Sequence, residues 1–320
     1  MNRFALRAVA ALVLSVAVAA CGADGAGGDD AEESPSSEPT ETRLACDAPC
    51  YGDAATLGSV SADTAIEVSG IAASVRTPGA YYVVSDEAGT SQVAVVQADG
   101  ELVGRIEVAG MDAANAEALE VGPCGDAPDE SCLYVGDIGD HVGRDDVVIY
   151  RLREPAVDTV DPVPADALRY TYADGPTDAE ALMVDDEGRP LIVSKGETAR
   201  LYHGPASGGV FERVGEIDLP EPENGLFADV VGNVVTGAST ASGRVLLRTY
   251  DEVLEYRAED DEGADLTQFP RWSWWRVPAG LLVQAEAITY RVDECGYLTV
   301  SELTGAIAGV PCAGNVPTSS

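Results

Sequence analysis

Four segments of the 320-residue chain share one pattern, in which a polar or acidic residue precedes Ala or Ser and then Leu or Ile. They are Glu67-Val-Ser-Gly-Ile-Ala, Asn115-Ala-Glu117-Ala-Leu, Asp178-Ala-Glu180-Ala-Leu and Gln284-Ala-Glu286-Ala-Ile. Each leads, after a turn, to an apolar run with a polar end: Ser85-Asp86-Glu87, Gly136-Asp137-Ile-Gly-Asp140, Ser194-Lys195-Gly-Glu197 and Ser301-Glu302. Carboxylates gathered from such positions repel one another, which raises their pKa values or recruits a cation. Oxygen-only donors favour Ca2+ over Mg2+, which demands tighter octahedral geometry. The expected metal set is therefore Glu67, Glu117, Asp137, Asp140, Glu180, Glu286 and Glu302, with Asp86 and Glu197 beside them. The plainer alternative is that these carboxylates cap turns and accept from backbone amides with no ion present. Lys195 is the sole lysine against 18 arginines. It reads either as a phosphate contact or as the counter-ion of Glu180 and Glu197. His141, next to Asp140, is placed to act as a general base near a metal-bound water. Lys195 and His141 are the candidate catalytic residues. With only two histidines in the chain, multi-His zinc sites are excluded, and no Gly-x-Ser-x-Gly elbow supports a serine esterase.

What must position these residues is β-structure. Short runs rich in β-branched and aromatic residues recur, among them YYVV (81–84), VAVV (93–96), CLYVG (132–136), VVIYRL (147–152), LIVS (191–194), RVLLRTY (244–250) and YLTVS (297–301). Gly, Asp and Pro punctuate them, which predicts an antiparallel all-β fold. The segment 113–122 has helix-forming composition, but its kinship with the other repeats assigns it to the same strand pattern. Asn233 to Ser239, followed by RVLLRTYDE, is a degenerate fifth copy. Taking 67, 117, 180, 237 and 286 as markers gives spacings of 50, 63, 57 and 49 residues, near the ~40–50 of a four-stranded propeller blade. Five units are visible and 251–283 has room for a sixth, so the expected fold is a five- or six-bladed β-propeller over 44–320. Its last unit has three strands, and residues 55–61 are expected to supply the fourth and close the ring. The first strand of each blade lines the channel and the second returns beside it, so all the acidic positions converge on one mouth. Arg271-Trp-Ser-Trp-Trp-Arg276 is expected to pack between blades rather than stack a sugar.

At Glu67–Ile71, GDIGDH (136–141), DGPTDAEAL (174–182) and QAEAI (284–288) the chain resembles the propeller family named for the esterase-like activity of phytase. It is similar as well to related bacterial propeller lipoproteins. The resemblance covers roughly 65–302 and implies a propeller fold. Through the β-propeller phytases, which hold calcium ions on acidic residues of one face to engage phosphate, it implies a metal-assisted phosphoesterase.

Residues 1–20 join Arg3 and Arg7 to about 13 apolar residues, the length of a signal h-region and short of the ~20 that span a bilayer. Val18-Ala19-Ala20-Cys21 resembles the lipobox of bacterial lipoproteins, which implies lipid attachment at Cys21 and a place on the outer face of the cell membrane. Residues 21–43 carry Gly, Ser, Pro, Thr and acid and predict a disordered tether. The six remaining cysteines predict disulfides in an exported chain. Cys124 pairs with Cys132 across a hairpin loop and Cys295 with Cys312 at one end of the last unit, which leaves Cys46 with Cys50. With 55 acidic against 19 basic residues the net charge is −36, which excludes nucleic acid and bare anionic lipid as partners. The leading expectation is a monomeric, lipid-anchored binding module with a Ca2+-binding channel face and a small ligand still to be identified. The alternatives are the phytase-like hydrolase and a scaffold for another envelope protein.

Overall fold

The computed structural model describes residues 51–140, 143–259, 263–292 and 296–313, all within the unit Ala48–Ser320. The leader 1–20, Cys21, the tether 21–43, Cys46, Cys50, His141 and Cys295 lie outside the described residues.

Strand β1 (Ala55–Ser59) stands apart from its sequence neighbours, and its place becomes clear only at the end of the chain. The first meander is β2 (Val68–Ala73), β3 (Ala80–Ser85), β4 (Gln92–Gln97) and β5 (Leu102–Ala109). The second is β6 (Ala116–Cys124), β7 (Ala127–Asp137), β8 (Val147–Arg153) and β10 (Asp166–Tyr172), with the two-residue β9 (Val163–Pro164) lying parallel to β5. The third is β11 (Ala179–Val184), β12 (Pro190–Ser194), β13 (Ala199–His203) and β14 (Gly209–Ile217). A parallel pairing of β10 with β14 merges the outer edges of the second and third into one eight-stranded sheet. After a single-turn helix α1 (Ala228–Val231), the fourth meander runs β15 (Val235–Ala241), β16 (Arg244–Thr249), β17 (Val253–Arg257) and β18 (Ser273–Val277). The fifth has β19 (Ala285–Tyr290), β20 (Tyr297–Ser301) and β21 (Ala306–Val310), and β1 completes it by pairing antiparallel with β21.

The innermost strands β2, β6, β11, β15 and β19 follow one another around a closed ring, and this is a β-propeller. Its described strands make five four-stranded meanders, and 251–283 supplies the outer half of the fourth together with a 3-10 turn at Leu266–Arg271. β2, β11 and β19 are buried along their whole length, because a strand lining the ring is packed on both faces and reads as a continuous apolar run. Apolar clusters fill the wedges between successive meanders: Leu119 with Val93 and Tyr82, Tyr134 with Tyr202 and Phe211, Leu191 with Leu247 and Phe269, Leu246 with Tyr297, and Leu298 with Ile71. The helix-forming composition of 113–122 gives way to β6, since a helix there would leave the second meander without its inner strand and open the ring between β2 and β11. Trp272 packs against the third of these clusters while Trp274 stays on the surface. Cys124 and Cys132 are joined across the β6–β7 hairpin with their Cα atoms 5.1 Å apart. Cys312 is disulfide-bonded.

Candidate cation site at the mouth of the ring

Every inner strand carries a register shift at the same point. The ladder skips one residue between Val68 and Gly70, Ala116 and Ala118, Ala179 and Ala181, Val235 and Gly237, and Ala285 and Ala287. The skipped residues are Ser69, Glu117, Glu180, Thr236 and Glu286. A bulge leaves one residue outside the ladder and re-aims its side chain, so the five bulges set one polar ring at the top of the channel. This corrects the repeat alignment: Glu67 matches Asn115, Asp178 and Gln284, two residues earlier, and the acid position of the first repeat is filled by Ser69. Glu67 and Gln284 both hold positive φ, 52° and 51°, the backbone entry into their bulges. The fifth marker is Thr236, not Gly237.

Glu117, Glu180 and Glu286 each offer a carboxylate oxygen, and the three oxygens lie within 4.8 Å of one another. All three side chains are buried. Around them stand the residues that follow each second strand: Asp86, Ile138, Lys195, Tyr250 and Glu302. Lys195 forms an ion pair with Glu180 Oε1 and lies 5.3 Å from the centre of the Tyr250 ring. Tyr250 donates to Glu286 Oε1 at 3.1 Å, and Asn115 Nδ2 donates to Glu117 Oε1 at 2.6 Å. Gln284 donates to Glu302, whose carboxyl also meets that of Glu286. Gly139 closes one side, where an added Cβ would sit 2.3 Å from Asn115 Oδ1 and 2.7 Å from Glu117 Oε1.

Burial, reinforced by the neighbouring carboxylates, pushes Glu117 and Glu286 well above the usual range. Burial raises Glu180 too, although the Lys195 charge pulls against it. Burial lifts Glu302 to about 7. Burial opposes the Lys195 charge, but Glu180 and Glu286 more than offset it, so its pKa rises. Two buried acceptors, Glu180 Oε2 and Asn115 Oδ1, have no hydrogen-bond partner in the described structure.

The other expected ligands are placed elsewhere. Asp137 pairs with Arg144 Nη1 at 2.9 Å and accepts from the Asn115 amide at 2.8 Å. Asp140 turns its carboxylate onto the amides of Gly143 and Arg144, 2.6 and 2.7 Å away, as a turn-capping residue does. Glu197 is exposed, and Glu67 is half-buried outside the trio. One buried acid has no signal in the repeat. Glu120, one turn of the ladder deeper on β6, receives the Thr240 hydroxyl from β15 at 3.2 Å, across the ring from its own meander, and burial lifts its pKa to about 8.

Fold and mouth together define a β-propeller whose channel opens through a buried cluster of glutamates. Among solved structures it is similar to the PQQ-bound aldose sugar dehydrogenase from Streptomyces coelicolor, with 12% identity over 83% of this chain and all of that one at a TM-score of 0.46. Virginiamycin B lyase from Staphylococcus aureus matches at 12% identity over 82% and 99% of the two chains, TM-score 0.44. The β-propeller domain of Cps50 (Swd1) from Myceliophteria thermophila matches at 10% identity over 77% and 84%, TM-score 0.37. At these identities the likeness says nothing of activity. No family model matches the chain, and no curated protein matches it in sequence.

Proposed function

We propose that this propeller is a binding module that holds a divalent cation, Ca2+, at the mouth of its channel. The observation that carries the reading is the buried trio Glu117, Glu180 and Glu286, with carboxylate oxygens within 4.8 Å. Two oxygens on one Ca2+ at ~2.4 Å are at most about 4.8 Å apart, so the trio has the span of a shared ion. Glu180 Oε2 and Asn115 Oδ1, buried acceptors without donors, are the atoms that a cation would satisfy. Five carboxylates, of Asp86, Glu117, Glu180, Glu286 and Glu302, surround a single ammonium. Such a site is neutralised by protons or by metal, and Ca2+ competes for the same oxygens. The phytase-like hydrolase reading draws on the same carboxylates but also asks Lys195 to meet phosphate, and Lys195 is engaged with Glu180. That favours binding over hydrolysis. The N-terminal lipid anchor at Cys21 remains part of the proposal and would hold the module on the outer face of the membrane.

A thermal melt of the chelated chain, with and without millimolar Ca2+ at matched ionic strength, tests the site. At 100 times Kd the bound ion adds about 2.7 kcal/mol, a shift on the order of 5 °C at this size. The expected result is a gain that the Glu117→Gln, Glu180→Gln double variant loses. Superimposed melts in the wild-type chain would remove the cation reading and the hydrolase with it. A calcium shift accompanied by phosphate release from a panel of phosphate esters would instead move the assignment to the hydrolase.

A further inference from the structure

The ladder registers put ten connections on the face that holds the mouth: 60–67, 86–91, 110–115, the described parts 138–140 and 143–146 of the link between β7 and β8, 173–178, 195–198, 218–234, 250–252, 278–284 and 302–305. Their sequences hold eighteen carboxylates against two cations, Arg144 and Lys195, a balance of −16 in a chain whose total is −36. Both cations are engaged, with Asp137 and with Glu180. The same face carries six large exposed apolar side chains: Ile66, Leu226, Val230, Leu281, Val283 and Leu303.

Single exposed apolar residues need no explanation, but these six are not scattered. All come from the connections that enter or cross the fourth and fifth meanders and the closing turn into the first. Among the described residues, the mouth connections within and between the first three meanders expose none, whereas the carboxylates divide evenly, nine in those connections and nine in the other five. The segment 278–284 has no charge at all, and its Leu281 is fully exposed. α1 buries none of its residues, and Leu226 just before it is 64% exposed. The exposed apolar side chains are thus confined to one half of the mouth face, while the carboxylates surround the mouth on both halves.

We propose that this face is a docking surface for a cationic protein segment whose Lys or Arg side chains meet the carboxylates around the mouth while its apolar side chains cover the apolar half. Charge complementarity selects that occupant. An anionic lipid surface and a nucleic acid both bring phosphate to a face of −16. A second copy of this chain would bring the same charge to it, and like charges juxtaposed across an interface cost affinity. Apolar anchors beside complementary charge are what a specific interface combines: the anchors set the lifetime and the charges the encounter rate.

Fluorescence anisotropy on the chain in chelator, so that the outcome is independent of the cation site, provides the test. The probe is a short labelled peptide of Lys and Leu, with a Lys/Ser peptide and a Glu/Leu peptide as comparators. The Lys/Leu peptide is expected to bind and to weaken as salt rises. Its affinity should fall at least about tenfold in a Leu226→Ser, Leu281→Ser, Leu303→Ser variant whose melt matches wild type, and should be unchanged by Val75→Ser and Val160→Ser on other surfaces. Failure to bind at low salt, equal binding by the Lys/Ser peptide, or equal binding by the triple variant would each overturn the proposal. Sedimentation showing self-association that the triple variant abolishes would assign the apolar half to a second copy and overturn it too.

Discussion

Glu120 shows how much a single side chain can hide from a sequence pattern. It sits one turn below a conspicuous repeat, in a strand whose neighbours are Leu119 and Val121, and nothing in its spacing announces a carboxyl inside the ring. Only the closure of the ring brings Thr240 to it. Its pKa of about 8 in the fold, against an ordinary value near ~4.3 in the unfolded chain, means that the folded state keeps a proton that the unfolded state releases. Stability should therefore fall as pH rises between about 4.5 and 8, and Glu302, held near 7, adds the same sign over a narrower window. The melting temperature is expected to decline from pH 5 to pH 8, and Glu120→Gln should flatten the decline. Parallel declines in both proteins would show that this carboxyl does not drive it. The trio Glu117, Glu180 and Glu286 was legible because three repeats keep the acid in the same place. Ser69 and Thr236 were not, since a Ser or Thr at one bulge is indistinguishable from an ordinary strand residue. Asp137 and Asp140 have the composition of ligands, but Arg144 lies four residues beyond Asp140 and captures both, one by its guanidinium and the other by its amide.

At the level of elements, the alternation of β-rich runs with Gly, Asp and Pro sufficed for strands and meanders, because an all-β chain announces its turns. The Cys124–Cys132 link followed from the same hairpin logic. The two-residue offset in the first repeat did not, because a bulge changes which residue leaves the ladder without changing composition. The seat of β1 was foreseen from the missing fourth strand, and its tightness comes from glycine. A Cβ on Gly58 would lie 2.0 Å from the carbonyl oxygen of Asp99 in the first meander, and one on Gly100 would lie 2.2 Å from that of Ser59. The obstacles are backbone atoms and cannot swing aside. Gly58→Ala is expected to cost about 1–3 kcal/mol, read as a lower urea midpoint at unchanged slope. A midpoint equal to wild type would mean that β1 is seated loosely enough to shift.

For the molecule as a whole, the dominant fact is −36 elementary charges on 320 residues. Self-repulsion of that size destabilises any compact state. The screening length shrinks from about 30 Å at 0.01 M salt to about 3 Å at 1 M. In chelator, with no calcium to confuse the result, raising NaCl across that range should raise the melting temperature. A flat response would mean that arginine pairs such as Arg276–Glu252 and Arg189–Asp185 already cancel the field locally. The sign of the charge was plain from composition. The gathering of exposed apolar side chains on one half of an acidic mouth face was not, because those residues are far apart in sequence, and only the ring brings 226, 281 and 303 to the same half.

Strand β1 also fixes an order of events. It is made early, yet its partner β21 comes after the 246 residues between Ser59 and Ala306. At ribosomal speeds of ~5–20 residues per second the first-made strand waits on the order of 12 to 50 s for its place. Throughout that interval one edge of the propeller is open and one strand is loose. Two chains emerging close together can exchange those strands, each closing the other's ring with identical contacts. In any such exchange the turn that follows β1 would be the hinge, because it is the segment that carries β1 to one ring or to the other.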